Sequence, residues 1–151
     1  AATDTQPAKI VFAHGFFASA LHEISHWCMA GQKRRLLNDF GYWYAPDGRN
    51  EQQQQQFEQV EILPQAIECL LTLACNKPFS VSKDNLFADF DTSQSTFEAD
   101  VQAQAVKFWQ TGQKLSTDAK VLLSQLTKLR PLPLTSFDIS HNFIKVNFYQ
   151  S

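Results

Sequence analysis

The chain has 151 residues, 44% of them apolar, including 13 Phe and 3 Trp, enough to build the core of one domain without disulfide staples. Its 13 Lys and Arg against 15 Asp and Glu leave a formal charge of −2, which excludes the cationic surplus of a general nucleic-acid binder. No apolar run approaches the roughly 18 residues of a membrane span. The opening AATDTQPA has no basic stretch followed by an apolar one, so no secretory signal is expected. Cys28, Cys69 and Cys75 form no C-x-x-C and are odd in number, which suits buried free thiols and a cytoplasmic location.

In chain order, Ile10-Val11-Phe12 reads as a short first strand ending before His14-Gly15. Good helix formers over residues 18–30 predict a helix, with Gly31 as its left-handed terminator. A short helix is expected where Lys33-Arg34-Arg35 lead into Leu36-Leu37, and the aromatic run 40–44 suits a strand or an ordered loop. Ala45-Pro46-Asp47-Gly48 is a turn, because Pro presets φ and Gly accepts a positive one. Residues 51–61 read as helical, and Pro64 fits the first turn of a second helix running to about Cys75. Asn76-Lys77-Pro78 stops it, and residues 79–93 read as a loop with a brief strand at 79–82. Helices follow over 94–111 and 116–129, the latter capped by Ser116 or Thr117, before Arg130-Pro131-Leu132-Pro133 breaks the pattern. The alternation of Phe143, Val146 and Phe148 in 139–149 suits a terminal strand or arm. The expected class is α+β: one domain over 1–151, predominantly helical, with a small sheet.

Charge is uneven beneath the near-neutral total. Residues 1–35 carry +2, residues 36–100 carry −8 and residues 101–151 carry +4. Within the first predicted helix stands His22-Glu23-Ile24-Ser25-His26, an H-E-x-x-H. Chance would produce it about 0.004 times in a chain of this composition and length. On a helix, the i and i+4 histidines share one face with Cβ atoms about 5–6 Å apart, close enough to clasp one divalent ion. A third ligand must come from elsewhere: His14, His141, Glu58 and Glu61 are the candidates. Glu61 stands out beside the apolar turn Ile62-Leu63-Pro64. Two chemistries remain open. Either Glu23 is the general base of a zinc hydrolase, a peptidase or nuclease, or two histidines and a carboxylate hold Fe(II) with positions left for O₂.

The stretch from Ile10 to Asn50, continued by QFEQVEILPQA and FSVSKDNL, resembles the elongation factor P hydroxylase family over about residues 10–90. The resemblance implies a hydroxylase of the β-lysylated lysine of elongation factor P. It implies a fold similar to a small metal-dependent endoribonuclease rather than a jelly roll. Members carry some tens of residues before the first strand, so an N-terminal segment is expected to be missing here. The matching metal ligands are His22, His26 and Glu61, with Glu23 handling protons or supporting the ligands. Fe(II) and O₂ are the implied cofactor and co-substrate, although another divalent metal can occupy such ligands. A cationic substrate side chain also gives the acidic middle segment a use. Asp47, Arg49, Glu58 and Tyr42 are candidate substrate contacts, Tyr42 through a cation–π contact.

Overall fold

A computed structural model describes residues 9–41, 48–83 and 95–141. After a 3₁₀ turn at Ala13–Gly15, five α-helices follow: α1 (Phe17–Arg34), α2 (Glu51–Ala74), α3 (Phe97–Thr111), α4 (Thr117–Lys128) and α5 (Ser136–His141). A second 3₁₀ turn, Asn38–Gly41, follows α1. None of the described helices is long and apolar enough to cross a membrane.

The sequence explains most of the helix ends. Asn50 accepts the Gln53 N–H (2.9 Å) while the Gln53 side chain accepts the Asn50 N–H (3.0 Å), a reciprocal cap that starts α2. The α2 terminus meets Asn76 in a left-handed conformation (φ 57°), which Asn tolerates better than most residues. Ser116 caps α4 through the Ala119 N–H (3.2 Å), as expected. Gly31 breaks α1 with φ 66° and ψ 172°, a combination open to glycine and strained for any residue with a Cβ.

α2 is the central element, packed against α1 and α3 and also touching α4 and α5. Its second half, from Ala66 to Ala74, is buried on every side. α3 presents Phe97, Val101, Ala105 and Phe108 as one apolar stripe at three- and four-residue spacing. Leu21 and Cys28 of α1, Ala119 and Leu123 of α4 and Ile139 of α5 close the same core.

The structure corrects three expectations. The small sheet is absent: no strand occurs among the described residues, so the fold is helical rather than α+β. A strand exists only where a neighbour satisfies its backbone groups. Among the described residues, 10–12 form no strand and Val11 is 81% exposed, while Ser82 and Lys83 bond to side chains of α2. At the C-terminal end, Ile139 lies in helix α5, packed on the core, rather than opening a strand; residues 142–149 of the expected arm lie outside the described residues. Finally, Pro64 does not begin a helix but sits inside α2. It removes the hydrogen bond that the Val60 carbonyl would have accepted. Burial of the helix beyond it, against α1 and α3, outweighs that loss, and Val60 itself lies on the exposed side.

Because a Cβ at Gly31 would meet no atom within 4 Å, only its backbone conformation resists substitution. Gly31→Ala is expected to lower the unfolding free energy by about 1–3 kcal/mol. Urea unfolding would show this as a lower midpoint at unchanged slope; an unchanged midpoint would contradict the strain at this break.

Candidate metal centre

His22 and His26 stand one turn apart on α1, on the stripe adjoining the core residues Leu21, Ser25 and Cys28. Their Nε2 atoms lie 3.2 Å apart, with the rings meeting edge to face at 4.7 Å between centroids. Glu61 enters from α2. Its Oε1 is 3.2 Å from His26 Nε2 and its Oε2 is 3.8 Å from His22 Nε2. Glu61 is 1% exposed and His26 4%.

This donor set fits a metal ion. Bonds of about 2.0–2.2 Å to nitrogen and oxygen place neighbouring ligands roughly 3.0–3.5 Å apart, close to the separations found. The chemistry agrees. A neutral imidazole nitrogen and a carboxylate oxygen both present lone pairs, and three such atoms directed at one another repel unless a cation lies among them. In the metal-free protein a proton takes that part. Burial opposes protonation of His22, but the hydrogen bond to Glu68 and the charges of Glu68, Glu61 and Glu23 outweigh it and push its pKa from 6.5 up to about 9. Burial likewise works against ionisation of Glu61, yet His26, with help from His22 and Gln65, holds its carboxyl below the usual range.

Glu68 is a partner of the histidine cluster that sequence reasoning missed. Its Oε2 accepts from His22 Nδ1 at 2.9 Å. That bond fixes the ring and leaves Nε2 turned toward Glu61 and His26, the arrangement in which a carboxylate behind a ligating histidine sets its tautomer and raises its basicity. Burial pushes the Glu68 carboxyl up, and His22 holds back part of the rise. A signal for it was present. Gln54, Glu61, Gln65, Glu68 and Thr72 recur at spacings of seven, four, three and four, a polar stripe on a helix whose other inward positions are apolar. All five are buried, which on an amphipathic helix marks a face built for something other than packing.

The centre opens into a cavity of about 590 Å³ lined by residues that include Ser19, Glu23, Phe57 and Ser80 to Ser82. Glu23 thus faces the space beside the histidines. Arg49 lies elsewhere: it is buried, with Nε donating to Gln54 Oε1 (3.0 Å) and its guanidinium 3.9 Å above the Phe57 ring. Glu58 accepts from Ser95 Oγ (2.7 Å) and borders a separate groove with Gln52, Gln55 and Gln59. Tyr42 and Asp47 lie outside the described residues. Of the other ligand candidates, His14 belongs to the first 3₁₀ turn and His141 ends α5. Among the described residues the donor cluster is His22, His26 and Glu61.

A sequence profile of the elongation factor P hydroxylase family matches residues 1–135. A protein of Haemophilus influenzae named elongation factor P lysine hydroxylase is 41% identical over 133 residues, which span 87% of this chain and 74% of that protein.

Two outcomes are expected of the centre. Glu68→Ala should weaken metal binding about 10–100-fold with helical content retained; unchanged affinity by competition with a chelating dye would contradict the role of Glu68. Metal uptake must also displace the proton on His22, whose pKa is raised to about 9. Affinity should therefore rise with pH, by about tenfold per unit, and level off above the His22 pKa. The linked stability has the opposite sign: in the metal-free protein the His22 contribution is fully present below 6.5 and is lost as pH rises through about 9.

Proposed function

The chain belongs to the elongation factor P hydroxylase family, and from that premise we propose that it hydroxylates the β-lysylated lysine of elongation factor P at an Fe(II) site formed by His22, His26 and Glu61. The observation that carries this reading is the convergence of two imidazoles and one buried carboxylate at 3.2–3.8 Å beside an open cavity. Two histidines and a carboxylate occupy one face of an ion and leave the opposite positions to reactants. Bound there, Fe(II) supplies the one-electron chemistry that lets O₂ react with a C–H bond. The overall balance inserts one oxygen atom into that bond and releases the other as water, consuming two protons and two electrons from an external reductant.

The side chains divide the work. His22 and His26 offer neutral Nε2 atoms, and Glu68 keeps the His22 proton on Nδ1. Glu61, itself buried, adds one negative charge at the inner edge of the cavity. A cavity of about 590 Å³ is roomy enough for an extended lysine-type side chain. Beside His22 its titratable lining is three carboxylates (Glu23, Glu61 and Glu68), and this acidic surplus favours entry of an ammonium group. Glu23 on the wall exchanges protons with the site or receives that ammonium. Arg49 serves by holding the wall: its Nη2 donates to the Lys83 carbonyl at 3.2 Å, next to cavity residue Ser82. Glu58 faces the separate groove and would meet the factor outside the cavity; Asp47 and Tyr42 stay candidate substrate contacts from the sequence alone. A translation factor as substrate supports a cytoplasmic location, and residues 1–151 are read as a single domain.

The test is incubation of the iron-loaded protein with O₂, a reductant and β-lysylated elongation factor P, followed by mass spectrometry of the modified lysine. The expected product is heavier by one oxygen atom. His22→Ala, His26→Ala and Glu61→Ala should each lower turnover by more than about 100-fold, beyond the effect of losing an outer partner. No mass gain with iron, or hydrolytic activity with Zn²⁺ in the absence of O₂, would overturn the reading in favour of a zinc hydrolase.

A further inference from the structure

Gln65 stands between the candidate metal carboxylate and the cavity wall. It is fully buried, and its amide makes three hydrogen bonds. Nε2 donates to Glu61 Oε2 (3.3 Å) and to the Ser82 carbonyl (2.7 Å), while Oε1 accepts the Ser82 backbone N–H (2.9 Å). The pair of bonds to Ser82 matches what one strand residue exchanges with its neighbour. It also sets the amide's orientation, because only Nε2 can donate to both Glu61 and the carbonyl. One residue further on, the Lys83 carbonyl accepts from Gln54 Nε2 (3.1 Å) and Arg49 Nη2 (3.2 Å). The polar stripe of α2 therefore holds the segment 82–83 in place, and Ser80 to Ser82 line the cavity.

The bond to Glu61 has a chemical consequence. Oε2 is engaged by the amide N–H of Gln65, whereas Oε1 is the oxygen 3.2 Å from His26 Nε2. An oxygen that already accepts a hydrogen bond has less electron density to give a cation than its free twin. Glu61 is thereby biased to bind through Oε1 alone, which leaves a further position around an ion open. We propose that Gln65 is a positioning residue with two linked effects: it keeps Glu61 a one-oxygen ligand, and it ties that ligand to the cavity wall at Ser82, so that a side chain pressing on the wall alters the carboxylate's hold on the ion. This rests on the metal-site reading above and adds a means of regulation to it. A purely structural role, fastening residues 80–83 to α2, would lower stability and leave the metal environment alone.

The visible absorption of Co(II) reports coordination number and geometry, so the cobalt-loaded full chain is the probe. Gln65→Met preserves length and removes all three bonds. The cobalt bands are expected to change toward higher coordination, with the dissociation constant rising about 10-fold or more, as for other outer partners. Ser82→Pro leaves Gln65 and Glu61 intact and deletes the N–H that Gln65 accepts, together with the hydroxyl and some backbone freedom; it should move the bands in the same direction by a smaller amount. Melting curves recorded alongside separate lost stability from an altered site. Bands and affinity within about twofold of wild type in Gln65→Met would overturn the positioning role. Unmoved bands in Ser82→Pro would overturn the tie to the wall, and this variant decides the matter if Gln65→Met does not fold. Failure of the wild-type chain to take up Co(II) would overturn the metal reading and the proposal together.

Discussion

Three lone pairs facing one another at the inner edge of a cavity are the constraint on which the rest of this structure depends. His22 Nε2, His26 Nε2 and the Glu61 carboxylate stand within 3.2–3.8 Å, an arrangement that is repulsive unless a cation joins it. Burying ionisable groups so deeply works against stability. The residues retained there are consequently explained by what they hold. Even without a metal the site favours a proton: burial pulls the other way, but Glu68 and the charges of Glu61 and Glu23 push the His22 pKa up to about 9.

The helical framework makes that convergence possible. α1 supplies the two histidines on one face, and α2 runs past them as a rod long enough to carry ligand, support and wall contacts together. Glu61 faces the two histidines, Glu68 seven residues on hydrogen-bonds His22, and Gln65 between them joins the carboxylate to Ser82. A break at Pro64 would have separated Glu61 from Gln65 and Glu68 and lost their common face. The continuity of α2 through a proline is in that sense part of the site. It is maintained by the buried run from Ala66 to Ala74 packing against neighbouring helices.

Much of the site was legible before the structure. The spacing of His22 and His26 announced a shared helical face, and Glu61 was singled out by its apolar surroundings. The polar partners were harder to see. Glu68 sits in the run IECLLTLA and Gln65 follows a proline that looked like a helix start, so the stripe joining them shows only when 51–74 is read as one helix. The sheet was misjudged for a related reason. Ile10-Val11-Phe12 and Phe79 to Ser82 have strand-forming residues, but pairing is a long-range property, and here the backbone of Ser82 is met by a glutamine side chain. Some helix ends were read more accurately, because capping by Ser116 and the break at Gly31 are decided locally.

The most direct measurement of the central claim is an anomalous-difference map, at the iron absorption edge, from crystals of the iron-loaded protein. One peak is predicted between α1 and α2, about 2.0–2.2 Å from His22 Nε2, His26 Nε2 and a single Glu61 oxygen, with Glu68 on the far side of the His22 ring. A peak bonded to Glu68, or none between the two helices, would contradict the account.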